Sequence, residues 1–498
     1  MHFPPAFLEL KARLVEVDDL HAAGALLHWD QATFMPPEGA TARGRQISTL
    51  SKLAHEKFTD PRLGELLDAL QPFANDHDFG SDEAALIRVS RRQYERATRI
   101  PAAFEAKFSA HCAEIYENWT RARPENDFAS VAPLLEKSLD LSRELAAFFP
   151  FERIADPLID FSDPGVTANA VTRLFAQLRA QLVPLVEEVV ARPAPDSSFL
   201  HGWWDEARQE AFCHTVVRAV GYDFARGRMD KTHHPFMTKF SLGDVRITNR
   251  MRSDEPTELL FGSLHEAGHA LYEQGIARHL EATPLAEGTS SGVHESQSRL
   301  WENLVGRSMP FWRHFYPQFQ REFAEQLSGV AVEKFFAAIN HVSRSLVRTD
   351  ADELTYNLHV MIRFDLEMEL LEGRLSVRDL PEAWRARYRS DLGIAAETDS
   401  DGVLQDVHWF SGTVGGAFQG YTLGNILSAQ FFEAARRDLG DLDAQFERGE
   451  FAPLRQWLTR EIYQHGAKFT ASEITRRATG QELTIEPYLA YLRRKFLG

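Results

Sequence analysis

The chain has 498 residues, of which 44% are hydrophobic and 26% are charged, as is typical of a folded globular protein rather than a disordered one. Its formal net charge of -17 argues against nucleic acid or an anionic membrane as the main partner. The two cysteines, Cys112 and Cys213, are too few for a disulfide framework or a cysteine-based metal site, which fits a reducing compartment.

The beginning of the chain lacks the basic stretch and the apolar core of a secretory signal peptide. The most apolar short run, LAAFFPF at 145–151, contains a proline and is too short to cross a bilayer. We therefore expect a soluble cytoplasmic protein that binds neither nucleic acid nor a membrane.

Apolar residues recur at intervals of three and four along most of the chain, which predicts a mainly α-helical protein. The pattern is clearest in four segments: 114–149, 170–192, 330–348 and 452–470. The best candidate linker is ARPAPDSSF at 191–199. It either separates an N-terminal helical part, 1–195, from a part that carries the functional site, 196–498, or is a surface loop within one unit spanning 1–498.

The clearest strand pattern lies at 236–250, where two alternating runs flank Leu-Gly-Asp. This pattern predicts a short β-hairpin. The second run contains DVRIT (244–248). Because the two-histidine segment described next follows it closely, we interpret DVRIT as an exposed edge strand that can pair with an extended peptide backbone. The alternative is a structural hairpin that only covers the core.

The stretch LHEAGHALYEQG follows the hairpin and carries His265, Glu266 and His269. A capping aspartate or serine upstream, Pro256 in the first turn and Gly275 at the end predict a helix here. On a helix the two histidines share a face and can both bind one zinc ion. Glu266 is rotated by about 100° from that face, so it misses the metal but can reach a water bound to it. This arrangement is typical of hydrolytic zinc sites.

A third protein ligand is expected from the helical segment after the loop EGTSSG, in which Glu295 is the foremost candidate. Two histidines, this carboxylate and a water complete an open tetrahedral site. The spacing alone permits Asp350 or Asp352 in place of Glu295. Three nearby polar side chains are expected to support the site rather than bind the metal: His294, Gln297 and Arg299.

Five short motifs occur in one order along the chain: DVRIT (244–248), HEAGH (265–269), HESQ (294–297), VRTDAD (347–352) and GVLQDVHW (402–409). In these motifs the sequence resembles the carboxypeptidase Taq family of zinc metallocarboxypeptidases, and the resemblance extends from about residue 20 to the C-terminus. Val347 stands where the family commonly has isoleucine.

The resemblance implies a large, mainly helical, zincin-like fold with a deep groove and a short β-sheet or hairpin beside the metal site. It also implies a homodimer that holds one zinc ion per chain, with cobalt as an alternative metal. The implied activity is the release of single residues from peptides with a free C-terminus, with broad preference and poor action at proline.

Glu266 is expected to be the general base, because it can take a proton from the attacking water and pass it to the departing amine. The resemblance implies His408 and Tyr421 as donors to the tetrahedral oxyanion. It implies Arg348 as the anchor of the substrate carboxylate, and Arg246 is expected to help close the far end of the groove. From residue types alone, His408 is more typical of a packed core histidine.

Two other functions are compatible with the same motif. One is an oligopeptidase or dipeptidyl carboxypeptidase that uses the same zinc site and releases larger fragments. The other is a peptide-binding relative without catalytic activity, which the complete set of two histidines, base and third carboxylate disfavours.

Overall fold

A computed structural model describes residues 3–498, which contain 22 α-helices and one sheet of three β-strands. The helices before the sheet are α1 (Pro5–Thr33), α2 (Ala40–Phe58), α3 (Pro61–Ala69), α4 (Gln71–Asn75), α5 (Asp82–Arg99), α6 (Ala102–Glu125), α7 (Phe128–Ala147), α8 (Asp156–Ser162), α9 (Ala168–Val190) and α10 (Glu206–Val220). The strands are β1 (Met229–Lys231), β2 (Met237–Ser241) and β3 (Asp244–Asn249).

The helices after the sheet are α11 (Pro256–Gly275), α12 (Ser291–Arg299), α13 (Met309–Glu322), α14 (Ala324–Leu327), α15 (Val332–Ile339), α16 (Tyr356–Leu371), α17 (Leu380–Leu392), α18 (Gln419–Leu439), α19 (Leu442–Glu447), α20 (Ala452–Glu461), α21 (Ala471–Thr479) and α22 (Glu486–Leu497). A π-helical segment, Leu300–Gly306, continues α12. Short 3₁₀ helices lie at Pro37–Gly39, Ser198–Leu200, Arg278–Leu280, Arg348–Asp350, Val377–Asp379, His408–Phe410 and Tyr463–Lys468. The prediction of a mainly helical fold with a short sheet is confirmed.

The predicted helical segments differ from the observed helices mainly in length. The segment 114–149 is divided into α6 and α7 by Asn126, whose φ of 57° places it in the left-handed region. The segment 330–348 is helical only through α15. Its last part is irregular because side chains from elsewhere take its backbone N–H groups: that of Ser343 donates to Asp352, and that of Arg348 donates to Gln405.

The hairpin predicted between 236 and 250 is present, since β2 pairs antiparallel with β3. The prediction that DVRIT forms an exposed edge is wrong, because β1 pairs parallel with β3 on its other side and makes β3 the central strand. Strand β1 is only three residues long. So short a segment has no alternating pattern by which the sequence could reveal it.

Buried apolar residues before and after the loop at 191–199 belong to one continuous core. Phe175 on α9, for example, packs edge-on against Phe364 on α16 with ring centroids 5.1 Å apart. The division of the chain near residue 195 stays a prediction. No helix within residues 3–498 combines the length and the apolar character that a membrane span requires.

Helix α11 has the predicted bounds and is buried along most of its length. Its cap differs from the prediction, because the side chain of Glu255, rather than an aspartate or serine, accepts from the Thr257 backbone N–H. The nearby Asp254 is instead paired with Arg252. The helix lies against β3 on one side and α12 on another, and this position brings its histidines to the functional site.

Candidate metal centre and active-site groove

His265 and His269 on α11 meet Glu295 on α12. Glu295 Oε2 lies 3.7 Å from His265 Nε2 and 3.4 Å from His269 Nε2. One ligand atom from each of the three residues lies within 4.8 Å of the others, and no other group of this kind occurs in residues 3–498. The carboxylate that joins the two histidines is therefore Glu295, and neither Asp350 nor Asp352 takes its place.

Two glycines allow α12 to come this close. A Cβ atom on Gly268 of α11 would lie 2.5 Å from the Gln297 carbonyl oxygen, and one on Gly424 of α18 would lie 2.6 Å from Glu295 Cγ. The beginning of α12 is fixed by the N-terminal part of the chain, because Asp163 accepts from the Gly292 backbone N–H at 2.7 Å. The position of Glu295 thus depends on contacts with elements that are far apart in the sequence.

The π-helical continuation of α12 places a second carboxylate behind His265. Glu302 Oε2 lies 3.0 Å from His265 Nδ1, which leaves Nε2 facing Glu295. Arg299 donates from Nε to Glu295 Oε1 at 2.7 Å and also pairs with Glu302 at 3.3 Å. π-Helical turns are rare and often occur at functional sites. Here the turn gives one arginine access to both carboxylates.

His269 is supported by a different partner. Its Nδ1 lies 2.6 Å from Nδ1 of His294, and Nε2 of His294 lies 2.9 Å from Glu273. His294 and Arg299 thus contact His269 and Glu295 directly, and their supporting roles stay predictions. Gln297 makes no hydrogen bond to Glu295. Its amide oxygen accepts from the Tyr463 hydroxyl, and Ser298 donates to Glu295 instead.

The donor set fits a divalent transition metal. Both histidines direct Nε2 toward Glu295 Oε2. Two imidazoles with one carboxylate form the ligand set of many zinc sites. Burial lowers the pKa of His269 to about 4, so this ring is neutral and can donate a lone pair. At His265 burial also lowers the pKa, but Glu295 and Glu302 outweigh it and the pKa is raised. The carboxylates therefore favour positive charge at this point.

Glu266 follows His265 on α11 and is only 7% exposed. Burial raises the pKa of its carboxyl to about 7, with His265 acting in the opposite direction. Its side chain lines the same cavity as the two histidines and Glu295. A carboxyl with a pKa near 7 can both accept and return a proton at neutral pH.

The three candidate metal ligands open into a groove with a volume of about 880 Å³, which is also lined by Arg348, His408 and Tyr421. Arg348 donates from Nε to Asp406 at 2.7 Å and from Nη1 to the Tyr356 hydroxyl at 2.9 Å. His408 Nε2 lies 3.1 Å from the Tyr421 hydroxyl. The sequence therefore predicted three groups that the fold brings to one wall of the groove.

Asp406 links these residues. It contacts His408 Nδ1 on one oxygen and Arg348 on the other, with Arg363 at 3.4 Å. Burial raises the pKa of Asp406, but His408 and the two arginines outweigh it and hold the pKa well below its usual range. A permanent carboxylate therefore orients both a guanidinium and an imidazole that face the groove.

Arg246 is placed differently from the other predicted residues. Its guanidinium donates two hydrogen bonds of 2.8 Å to Asp244 and lies 4.3 Å from the centre of the Trp29 ring. It is absent from the lining of the groove, where Arg250 and His234 occupy the side near the sheet. A role for Arg246 at the far end of the groove stays a prediction.

Glu273, Glu302 and Asp406 were not predicted from the sequence as residues of the site. Helical spacing could have identified the first two. Glu273 follows His269 by about one turn, and Glu302 follows Glu295 by about two turns. Residues at such intervals share a helix face. Asp406 lies within the motif that contains His408, but its contacts with Arg348 and Arg363 depend on the folded chain.

Comparison with known proteins gives matches over nearly the whole chain. The profile of the family described as Carboxypeptidase Taq (M32) metallopeptidase matches residues 9–496. Thermostable carboxypeptidase 1 of Thermus thermophilus is 41% identical over 488 residues, which are 96% of this chain and 95% of that protein. Carboxypeptidase 1 of Bacillus subtilis is 36% identical, over 98% of this chain and 97% of that protein.

A solved structure also matches over nearly the whole chain. The crystal structure of an M32 carboxypeptidase from Deinococcus radiodurans R1 superimposes with a TM-score of 0.96 at 51% sequence identity. The match covers 99% of each chain.

Proposed function

Because this chain belongs to the carboxypeptidase Taq (M32) family and is a metallocarboxypeptidase, we propose that it releases single residues from the C-terminus of peptides with broad preference and poor action at proline. The family resemblance predicted from the five motifs is confirmed. The observation that supports the proposal is the grouping of His265, His269 and Glu295 at the wall of a groove that also contains Arg348.

The proposed metal is one zinc ion per chain, held by Nε2 of His265, Nε2 of His269 and Oε2 of Glu295, with cobalt as an alternative. When bound, such an ion supplies Lewis acidity, which acidifies water and polarises the scissile carbonyl. Arg299 and Ser298 hold the Glu295 carboxylate by hydrogen bonds of 2.7 and 3.0 Å. Ligands held in this way need little rearrangement to bind.

Glu266 is the proposed general base. Its carboxylate accepts a proton from the attacking water and then donates that proton to the nitrogen of the departing residue. The pKa of about 7, raised by burial, supports both steps at neutral pH. Its place on α11 next to His265, rotated away from the face that carries the two histidines, supports this role.

Arg348 is the proposed anchor for the substrate carboxylate. Its Nε and Nη1 are engaged by Asp406 and Tyr356, and its Nη2 has no hydrogen-bond partner in the described part of the chain. His408 and Tyr421 are the proposed donors to the oxyanion of the tetrahedral intermediate. Asp406 supports the imidazole of His408 from the side opposite to Tyr421.

The assembly and the location are also parts of the proposal. We propose a homodimer, on the family resemblance, and sedimentation of the purified protein tests it. We propose a cytoplasmic location, which the two unpaired cysteines support: Cys213 is buried and Cys112 is partly exposed.

The decisive experiment uses one defined peptide as the free acid and as the C-terminal amide, each with and without a metal chelator. The masses of the products are followed over time. We expect single residues to leave the free acid in sequence, the amide to be a poor substrate, and the chelator to stop release. Release of dipeptides or internal fragments would instead identify an oligopeptidase or dipeptidyl carboxypeptidase. Binding of the peptide without any cleavage would identify a non-catalytic relative.

A further inference from the structure

Behind the proposed ligand His269 lies a continuous chain of polar side chains that ends on strand β2. His269 Nδ1 lies 2.6 Å from His294 Nδ1, and His294 Nε2 lies 2.9 Å from Glu273 Oε1. The other oxygen of Glu273 accepts from Lys239 Nζ at 2.8 Å. The four residues come from α11, α12 and β2. The hairpin is thus connected to the metal centre by direct contacts.

When His269 is a metal ligand, only one placement of the ring protons allows both hydrogen bonds, from His269 to His294 and from His294 to Glu273. A metal takes the lone pair on His269 Nε2, so the proton of that ring is on Nδ1. His294 Nδ1 must then be an acceptor, and its proton lies on Nε2, from which it donates to Glu273. The other tautomer of His294 would bring two N–H groups together at 2.6 Å.

Glu273 and Lys239, at the far end of this row of side chains, stabilise that placement of the ring protons. Glu273 is 4% exposed and also accepts from the Gly288 backbone N–H at 3.0 Å. Burial raises the pKa of this carboxyl, but Lys239 and His294 outweigh it and the pKa falls to about 2. Glu273 is therefore a carboxylate, which can only accept, so the His294 nitrogen that faces it must donate.

The two proposed histidine ligands are supported in different ways. His265 contacts the Glu302 carboxylate directly. At His269 a second imidazole is inserted between the ligand and the carboxylate, so two tautomers rather than one have to be fixed. An inserted ring that is free to change tautomer or to turn would no longer accept from His269. The charged pair of Glu273 and Lys239 removes this freedom.

We propose that Glu273 and Lys239 are positioning residues that act through His294 to hold His269 in the tautomer and orientation of a metal ligand. The inference rests on the proposed function only in taking His269 as a ligand. Groups that orient a ligating histidine typically change metal affinity by about ten- to a hundredfold when they are removed. We expect a change of this size when Glu273 can no longer act as a charged acceptor.

The first test measures the dissociation constant for Zn²⁺ by competition with a chromophoric chelator. The variants are Glu273→Gln and Lys239→Met, and the control is Lys52→Met, which removes an exposed lysine paired with Glu56 on α2. We expect the dissociation constant to rise by about ten- to a hundredfold in Glu273→Gln and less in Lys239→Met. The control should match the wild type. If Glu273→Gln does not fold, Lys239→Met alone tests the inference.

A merely structural role gives a different result. It would lower the melting temperature of the metal-free variants and leave their affinity for Zn²⁺ within about twofold of the wild type, and that result would overturn the inference. If the wild-type protein itself bound no Zn²⁺, the proposed metal centre would be wrong, and the inference with it. The two failures are therefore distinguishable.

The second test reads the tautomer directly. Histidines are labelled with ¹⁵N in the zinc-loaded wild-type protein, and the ring nitrogens of His294 are assigned by comparison with His294→Gln. We expect a proton on His294 Nε2 and none on Nδ1. The opposite tautomer, or a His294 ring that exchanges between the two, would contradict the proposed arrangement.

Discussion

Gly424 on α18 lies directly against the side chain of Glu295 on α12, and a Cβ atom at Gly424 would come within 2.6 Å of Glu295 Cγ and 2.7 Å of Glu295 Cβ. Real Cβ atoms do not approach a neighbour this closely, so α12 would have to move. Since Glu295 Oε2 is 3.4 Å from His269 Nε2, a small displacement of α12 changes the geometry of the proposed ligand set.

The first prediction follows from that contact. Gly424→Ala should displace Glu295 and weaken Zn²⁺ binding by about tenfold or more, because metal ligands tolerate only small errors in position. Chelator competition measures the dissociation constant. The matched control is Gly44→Ala on α2, where a Cβ atom meets nothing within 4 Å. That variant should bind Zn²⁺ normally and gain up to about 1 kcal/mol of stability from helix propensity. Normal affinity in Gly424→Ala would contradict the prediction.

The second prediction concerns the proposed base. Glu266→Gln keeps the shape of the side chain but cannot accept a proton, so the rate of peptide hydrolysis should fall by about 10²- to 10⁴-fold. Zinc content should be unchanged, because Glu266 is not part of the ligand set. Single-turnover kinetics and metal analysis of the same samples check both statements. The exposed Glu38→Gln serves as the control. A variant that loses zinc as well as activity would not support a role as base.

The pairing of His265 and His269 in the candidate metal centre could be predicted from the sequence because their relation is local. A spacing of one helical turn places both rings on one face whatever surrounds the helix. The position of Glu295 is not local in this sense. It depends on Gly268 and Gly424, whose missing side chains matter only after α11, α12 and α18 have packed together.

Only one of the two strand pairings in the sheet could be predicted from the sequence. The hairpin of β2 and β3 was predictable, because its two strands are neighbours in sequence and their turn has a recognisable pattern. The partner on the other side, β1, is a three-residue strand that pairs parallel with β3 through Met229, Asp230 and Lys231. No local pattern encodes that pairing, so the edge assigned to DVRIT was wrong.

The third prediction tests the proposed carboxylate anchor. Arg348→Ala should reduce kcat/KM for free-acid peptides by about 10- to 100-fold, because a charge-assisted hydrogen bond to the substrate is lost. Most of the change should appear in KM. Asp406 keeps Arg363 at 3.4 Å, so the variant retains a cation beside this buried carboxylate. The exposed Arg45→Ala is the control. An unchanged KM in Arg348→Ala would exclude Arg348 as the anchor.

The fourth prediction starts from a buried carboxyl that the proposed chemistry does not use. Glu367 on α16 is 1% exposed. One of its oxygens accepts from Trp409 Nε1 at 2.7 Å, and the other has no hydrogen-bond partner in residues 3–498. Burial raises the pKa of Glu367 from 4.5 to about 8, although Trp409 lowers it. Between these two pH values the folded protein holds this proton and the unfolded chain releases it.

A state that holds an extra proton loses stability as the pH rises. The contribution of Glu367 to the free energy of unfolding should therefore fall steadily as the pH rises from about 5 to about 8. Within that window this decrease in the free energy of unfolding approaches about 1.4 kcal/mol per pH unit. Above the folded pKa the free energy of unfolding no longer changes with pH because of Glu367. Glu367→Gln mimics the protonated form and removes this contribution, so its free energy of unfolding relative to the wild type should rise with pH. Urea denaturation across the window measures the difference, with the exposed Glu136→Gln as control. A difference that does not change with pH would show that Glu367 is ionised in the folded protein.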